Sequence, residues 1–354
     1  MPSRDKYVFL PSFSLDPAKL VSYNSVFLRD YDNETLKPVQ GGARTIRHQK
    51  TEIRDKNAIK RDFHNFKISD NAYRTLKRRI NWLYYMAKSK KVKTYSGKDI
   101  FNFKIGFITL TLPSKQRTCT KELTENCLNQ FLTEVRQRTG MQNYVWRLEF
   151  QKNGNAHYHI VTDTYLDYFL IRKIWNRILD KNGYIEPYRQ KFQDLSLSAY
   201  NKMTNKNGKR HYKDVVKSYA AGKRENWSNP NSVDVKSVIS NQAIANYISK
   251  YFAKDAKHET ICNQLDDENN AKSLRLWFCS RSLSKLSTVS DFCDAVEYDI
   301  FAIVSFCSDV KKVIGKYATS YYFQLKNFSH NARSWIERIL RKYALDNGYV
   351  PASG

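Results

Sequence analysis

Hydrophobic and polar positions along the chain change period several times, and each change marks an element. From Asp70 the apolar residues Tyr73, Leu76, Ile80, Leu83 and Ala87 recur at helical spacing, with Arg74, Lys77, Arg78 and Arg79 on the flanks. Asp70 can cap that helix. Lys104 to Leu112 (KIGFITLTL) is rich in β-branched and aromatic residues, halts at Pro113 and predicts a buried strand. Leu123, Cys127, Phe131 and Val135 form one stripe of a helix over about 121–139, stopped by Gly140. Tyr144 to Gln151 then alternates: Tyr144, Trp146, Leu148 and Phe150 face one way, and Val145, Arg147, Glu149 and Gln151 the other. Asn153-Gly154 is a hairpin signal leading into a strand from Ala156 to Asp163. A helix near 168–179, a strand near 233–239 and a helix over Ser240 to Asp255 complete the pattern. Because the best-marked strand pair is a hairpin, the expected fold class is α+β, an antiparallel sheet covered by helices with basic helical extensions.

Charge divides the chain further. Its 354 residues carry 60 Lys plus Arg against 34 Asp plus Glu, a formal net charge of +26. That imbalance predicts a polyanionic partner. Residues 41–100 hold 17 basic against 5 acidic side chains, 202–224 hold 8 against 1, and 256–310 reverse the sign with 5 against 9. The expected organisation is a basic, partly helical N-terminal arm (1–100), a middle domain (101–255) with a basic insertion near 200–228, and a C-terminal region (256–354). In the arm, the cations lie beside Trp82, Tyr84 and Tyr85, which could stack on bases while Lys77, Arg78 and Arg79 follow phosphates. Lys209 and Arg210 are the corresponding candidates in the insertion.

The six cysteines, at 119, 127, 262, 279, 293 and 307, show no CxxC pair, which argues against a zinc finger and a disulfide framework. Apolar stretches such as Trp82 to Ala87 fall far short of a membrane span, and Met1 to Asp16 lacks a signal-peptide core. A nucleic acid is therefore expected rather than a membrane surface, in a reducing, aqueous compartment.

His157 and His159, two apart in a strand, point to one face and can share a metal ion. If Lys152, Asn153 and Gly154 form a three-residue loop with Gly154 left-handed, Glu149 stands opposite His157 on that face. A two-residue Asn-Gly turn would point Glu149 away. The three-residue loop is favoured because it alone gathers the polar residues, with Gln151 the alternative third ligand. Two neutral imidazoles and a carboxylate suit Mg²⁺ or Mn²⁺ carrying phosphate oxygens. Tyr247 and Tyr251, four apart in SNQAIANYISKYFAKD, share a helix face with Lys250 and Lys254 interleaved.

The order F-I-T-L-T-L (107–112), H-Y-H (157–159) and Y-I-S-K-Y-F-A-K (247–254) resembles the three motifs of the HUH endonuclease superfamily. In its paired-tyrosine form the pattern looks like the rolling-circle replication initiators of microviruses, small tailless single-stranded DNA phages, and of similar plasmid proteins. The resemblance covers about 150 residues and implies an RRM-like or ferredoxin-like palm, with His157, His159 and a third residue as metal ligands and Tyr247 and Tyr251 as nucleophiles. Lys250 or Lys254 would favour the phenolate. It implies nicking and religation of single-stranded origin DNA in the cytoplasm of a host bacterial cell, with a host helicase and replication proteins as candidate partners. A transposase or relaxase of the same superfamily is the rival enzyme. A non-catalytic nucleic-acid-binding module is the rival of another class, and it would place stacking aromatics where this chain has histidines.

Overall fold

The computed structural model describes residues 7–30, 35–38, 68–94, 96–238, 274–292, 304 and 309–352. Contacts group the chain into two compact units, one of residues 1–61 with 284–349 and one of 62–283 with 350–354.

The first unit is built from both ends of its sequence. Strand β1 (Tyr7–Asp16) turns through Pro17 and Ala18 into β2 (Lys19–Asp30), which also pairs with β3 (Thr35–Pro38). Far along the chain, β11 (Val289–Phe292) pairs with β1, and β13 (Ala318–Tyr322) joins β2 and β12 (Lys311–Ile314). The sheet order is β11-β1-β2-β13-β12, antiparallel throughout. Helix α8 (His330–Asp346), capped by the Ser329 hydroxyl, buries Ile336, Leu340 and Ala344 at helical spacing.

The second unit carries the site. It opens with α1 (Asp70–Met86) and a small hairpin of β4 (Lys90–Lys93) and β5 (Asp99–Phe103). Then follow β6 (Ile105–Leu110), helix α2, β7 (Tyr144–Phe150), β8 (Ala156–Thr162) and α3 (Tyr168–Lys181). Three short helices come next, α4 (Glu186–Phe192), α5 (Leu197–Thr204) and α6 (Tyr212–Arg224), before β9 (Val233–Val238). After β10 (Trp277–Cys279), a short helix α7 (Arg281–Lys285) leaves the sheet. The sheet order is β10-β7-β8-β6-β9, again antiparallel in every pair. The fold is α+β, antiparallel sheets flanked by helices.

Alternation decides the core. Ile108 and Leu110 of β6, Trp146 and Leu148 of β7, and Tyr158 and Ile160 of β8 are all at most 3% exposed and share one sheet face. Against it pack α2 (Phe131, Leu132, Val135) and α3 (Ile171, Ile174, Trp175, Ile178). Phe131 and Trp175 meet edge to face at 5.6 Å, and the Trp175 indole N–H donates to the Thr111 carbonyl at 3.0 Å. Each such aromatic contributes about 1.5–3 kcal/mol by burial alone. The helix expected over 121–139 runs in three stretches, α-helical Thr120–Leu123, a π-turn Thr124–Leu128 and α-helical Asn129–Thr139, together α2. The wider turn lets Cys127 and Leu128 both reach the core, and Thr124 Oγ1 sits 2.8 Å from the Tyr158 hydroxyl. Burial pushes the Cys127 thiol up to about 12, so it is a packed, protonated side chain.

Two expectations for α1 are corrected. The cap is Ser69, extended at φ −61° and ψ 153° with its hydroxyl accepting from the Ala72 N–H, while Asp70 is already helical. Trp82 and Tyr85 are not open to bases: Trp82 is fully buried, Tyr85 is 9% exposed, and their rings meet edge to face at 6.0 Å. Tyr84 lies under the Lys104 ammonium, 3.9 Å from its ring centre. The buried stripe therefore extends past the residues that signalled it to Trp82, Tyr85 and Met86, and α1 packs on β7.

Candidate metal and nucleic-acid site

The sheet face opposite the core holds the polar residues. Register pairs Glu149 with His157, Arg147 with His159, and Thr109 with His159 across the other side of β8. Parity thus gathers Thr109, Arg147, Glu149, His157 and His159 on one face of three adjacent strands. The hairpin has the three-residue loop: Gln151 N–H donates to the Asn155 carbonyl at 2.9 Å, and Gly154 takes φ +81°.

His159 is 6% exposed and held from both ring nitrogens. Its Nε2 lies 3.1 Å from Glu149 Oε2 and its Nδ1 3.2 Å from the Thr109 hydroxyl. An ionised carboxylate only accepts, so in the neutral ring this geometry favours the proton on Nε2 and leaves Nδ1 to accept from Thr109. Phe107 covers the ring at 5.3 Å. His157 stands edge-on to His159 with ring centres 4.6 Å apart, and its Nδ1 is buried without a hydrogen-bond partner among the described residues. Burial first, then the neighbouring imidazole, push His157 down to about 4 against the pull of Glu149. Its ring is therefore neutral in ordinary buffers and keeps a lone pair to give. Glu149 Oε1 is also buried without a hydrogen-bond partner, 3.6 Å from Arg147 Nη1. Arg147 is only 5% exposed, and burial lowers its guanidinium from the usual range despite Glu149.

Among the described residues no three His, Cys, Asp or Glu converge on one point as a metal-binding group. The donors nonetheless fit a divalent cation in kind: two imidazoles and a carboxylate, with His157 Nδ1 buried and unbonded among the described residues and Glu149 Oε1 engaged only by the 3.6 Å contact to Arg147. Gln151 is half-buried at the hairpin end, where its main chain closes the loop.

The hairpin is clamped by two amides that the sequence pattern did not single out. Asn155, 2% exposed, donates from its side chain to the Ser114 carbonyl at 2.7 Å and accepts from the Gln116 N–H at 2.9 Å. Gln116, 3% exposed, accepts from the Ala156 N–H at 2.9 Å. The start of the His157 strand is thereby tied to the loop after β6. Asn155→Ala strands a buried N–H and a buried carbonyl, and about 1–3 kcal/mol of stability is expected to go with it. Thermal unfolding of the variant measures this; an unchanged melting temperature would show that the clamp is dispensable.

Thr109 and Arg147 were likewise not picked out as site residues, although strand parity alone places both on the histidine face. The paired tyrosines Tyr247 and Tyr251, with Lys250 and Lys254, lie outside the described residues. Of the cations expected on DNA, Lys77 and Lys209 are exposed and Arg78, Arg79 and Arg210 half-buried. No helix among the described residues is long and apolar enough to cross a membrane.

Residues 105–256 match the family model of the replication-associated protein ORF2/G2P. The match takes in the histidine strands, the helical insertion and the tyrosine segment, under half of the chain, and it supports a protein of replication initiation with DNA as its partner. Comparison with curated proteins and with solved structures found no significant match.

Proposed function

We propose that the protein nicks single-stranded DNA at a replication origin through a 5′-phosphotyrosine intermediate and religates it during rolling-circle replication. The observation that carries this reading is the face of His157, His159, Glu149 and Thr109, built on three strands inside the segment that matches a replication-associated family.

The chemistry follows from the residue types. The phenol oxygen of Tyr247 or Tyr251 attacks the scissile phosphorus, its proton passing to solvent or a base, and Lys250 and Lys254 stabilise the phenolate. The bond from phosphorus to the 3′ oxygen breaks and the leaving oxygen takes a proton from solvent or a general acid, giving a 3′ hydroxyl to prime synthesis and a tyrosine ester on the 5′ phosphate. That ester retains the energy of the broken bond, so a later attack by a 3′ hydroxyl restores the strand without ATP. His157, His159 and Glu149 would hold Mg²⁺ or Mn²⁺, with Gln151 the alternative third ligand. Bound there, the ion would polarise the phosphate and offset charge developing on its oxygens. To offer Nε2 to such an ion, His159 would hold its ring proton on Nδ1, where the Thr109 oxygen can accept it. Lys77, Arg78, Arg79, Lys209 and Arg210 supply phosphate contacts along the strand.

The test is incubation with single-stranded origin DNA and Mn²⁺, followed by a denaturing gel. A covalent protein–DNA adduct that EDTA suppresses is expected. Tight binding without any adduct would make the chain a binding module rather than an enzyme.

A further inference from the structure

Helices α4, α5 and α6 enclose a cavity of about 550 Å³ together with the ends of α3 and the chain leading to β9. Its construction begins at an unusual chain reversal. After α6, Asn226 and Trp227 both take left-handed backbone angles, φ 47° and 52°, and the Trp227 N–H donates back to the Gly222 carbonyl at 2.8 Å. The indole then lies so close over Gly222 that a Cβ there would come within 2.2 Å of the ring. Two strained non-glycine residues in succession are kept in place by packing: Trp227 stacks on Phe192 at 5.2 Å and meets Tyr200 at 5.3 Å. The result is a rigid aromatic wall.

Several polar groups on that wall have partners still to find. The Tyr188 and Tyr200 side chains line the cavity within electrostatic reach of each other, with Arg172 also acting on Tyr188, and the Trp227 indole N–H is buried without a hydrogen-bond partner among the described residues. Burial raises Tyr188 to about 12, so it remains a donor. Arg210 is positioned by one hydrogen bond from Nη2 to the Ser218 hydroxyl at 2.7 Å and has no carboxylate partner among the described residues. Glu225 also lines the cavity, 3.8 Å from Arg224. The segment 202–224, which supplies Arg210 and α6 to the cavity, carries 8 basic side chains and a single acid. An apolar ligand would leave the hydroxyls and the guanidinium unmatched. A planar base with an attached phosphate matches all of them: stacking surface, donors for ring acceptors, a carboxylate for an exocyclic amine, and a cation for the phosphate.

We propose that this cavity holds one nucleotide of the single-stranded DNA, its base against Tyr188 and Tyr200 and its phosphate on Arg210. The proposal rests on DNA being the substrate and adds a contact on a different element from the histidine face.

The full-length protein is mixed with a single-stranded oligonucleotide carrying 5-bromodeoxyuridine, in EDTA so that no strand is cut, and irradiated. Crosslinks mapped by mass spectrometry are expected within peptides 186–227. Tyr188→Ala and Arg210→Gln should each weaken oligonucleotide affinity about 5- to 20-fold, and Arg210→Gln should lower the slope of log K against log salt by about 0.7. Unaltered affinity and slope in both variants, with crosslinks confined to other peptides, would overturn the pocket. Crosslinking of the unaltered protein decides the matter even if a variant fails to fold. Should the protein crosslink here yet form no adduct with Mn²⁺, the pocket stands and the nicking reading falls. Normal nicking with no crosslink here does the reverse.

Discussion

His157→Ala and His159→Ala are each expected to reduce nicking of single-stranded DNA by at least ~100-fold, because each removes a nitrogen donor from a face that offers only two. Binding of the same oligonucleotide in EDTA should change less than about twofold, since affinity rests on dispersed Lys and Arg. Glu149→Gln separates two roles: it keeps the size of the side chain and an acceptor oxygen near His159 but removes the charge, and ~10-fold or greater loss in Mn²⁺ affinity is expected. Thr109→Val serves as a control on orientation. It deletes the partner of His159 Nδ1 at nearly constant volume, and a smaller loss, recovered in part at high Mn²⁺, marks a positioning residue. Isothermal titration with Mn²⁺ and a gel-based nicking assay read these out. If nicking persists in either histidine variant at the normal rate, the face is not the metal site.

The tyrosines should behave as a redundant pair. Tyr247→Phe and Tyr251→Phe are each expected to yield covalent adduct on a short oligonucleotide, because either phenol can attack. The double variant should yield none, a loss beyond the ~10³-fold range of the assay. On a circular substrate with two origins, each single variant should cut once and fail at the second transfer, its remaining phenol already esterified. If Tyr251→Phe completes both transfers at normal rate while Tyr247→Phe is inert, one tyrosine does all the chemistry and the pairing is structural.

Strand parity made the histidine face legible in the sequence. Alternation in Tyr144 to Gln151 and in Ala156 to Asp163 showed which side chains of each strand share a face, and the three-residue loop, favoured over a two-residue Asn-Gly turn because it gathers the polar residues, is the one the hairpin has. Less legible was what covers each surface. A helical stripe such as that of α1 announces an amphipathic helix but not its neighbour, so Trp82 looked like a stacking residue although it is core. The Asn155–Gln116 clamp left no trace because amides in loops carry no periodicity. The insertion read only as basic, since α4, α5 and α6 are too short for their apolar positions to repeat convincingly. Nor could any local pattern show that β1 and β2 find their other partners near residues 289–322.

That last pairing bears on biosynthesis. The chain emerges N-terminus first, so β1 and β2 leave the ribosome long before β11, β12 and β13 exist. At about 5–20 residues per second, tens of seconds pass with only β1, β2 and the four-residue β3 in place, a small sheet still lacking β11 and β13. The second unit, contiguous apart from its last few residues, can complete its sheet in the meantime. Nascent chains arrested near residue 285 should therefore already protect the histidine strands from protease while the first thirty residues are still cut. The histidine strands would mature on the ribosome, and the other sheet would close only once residues 289–322 have emerged.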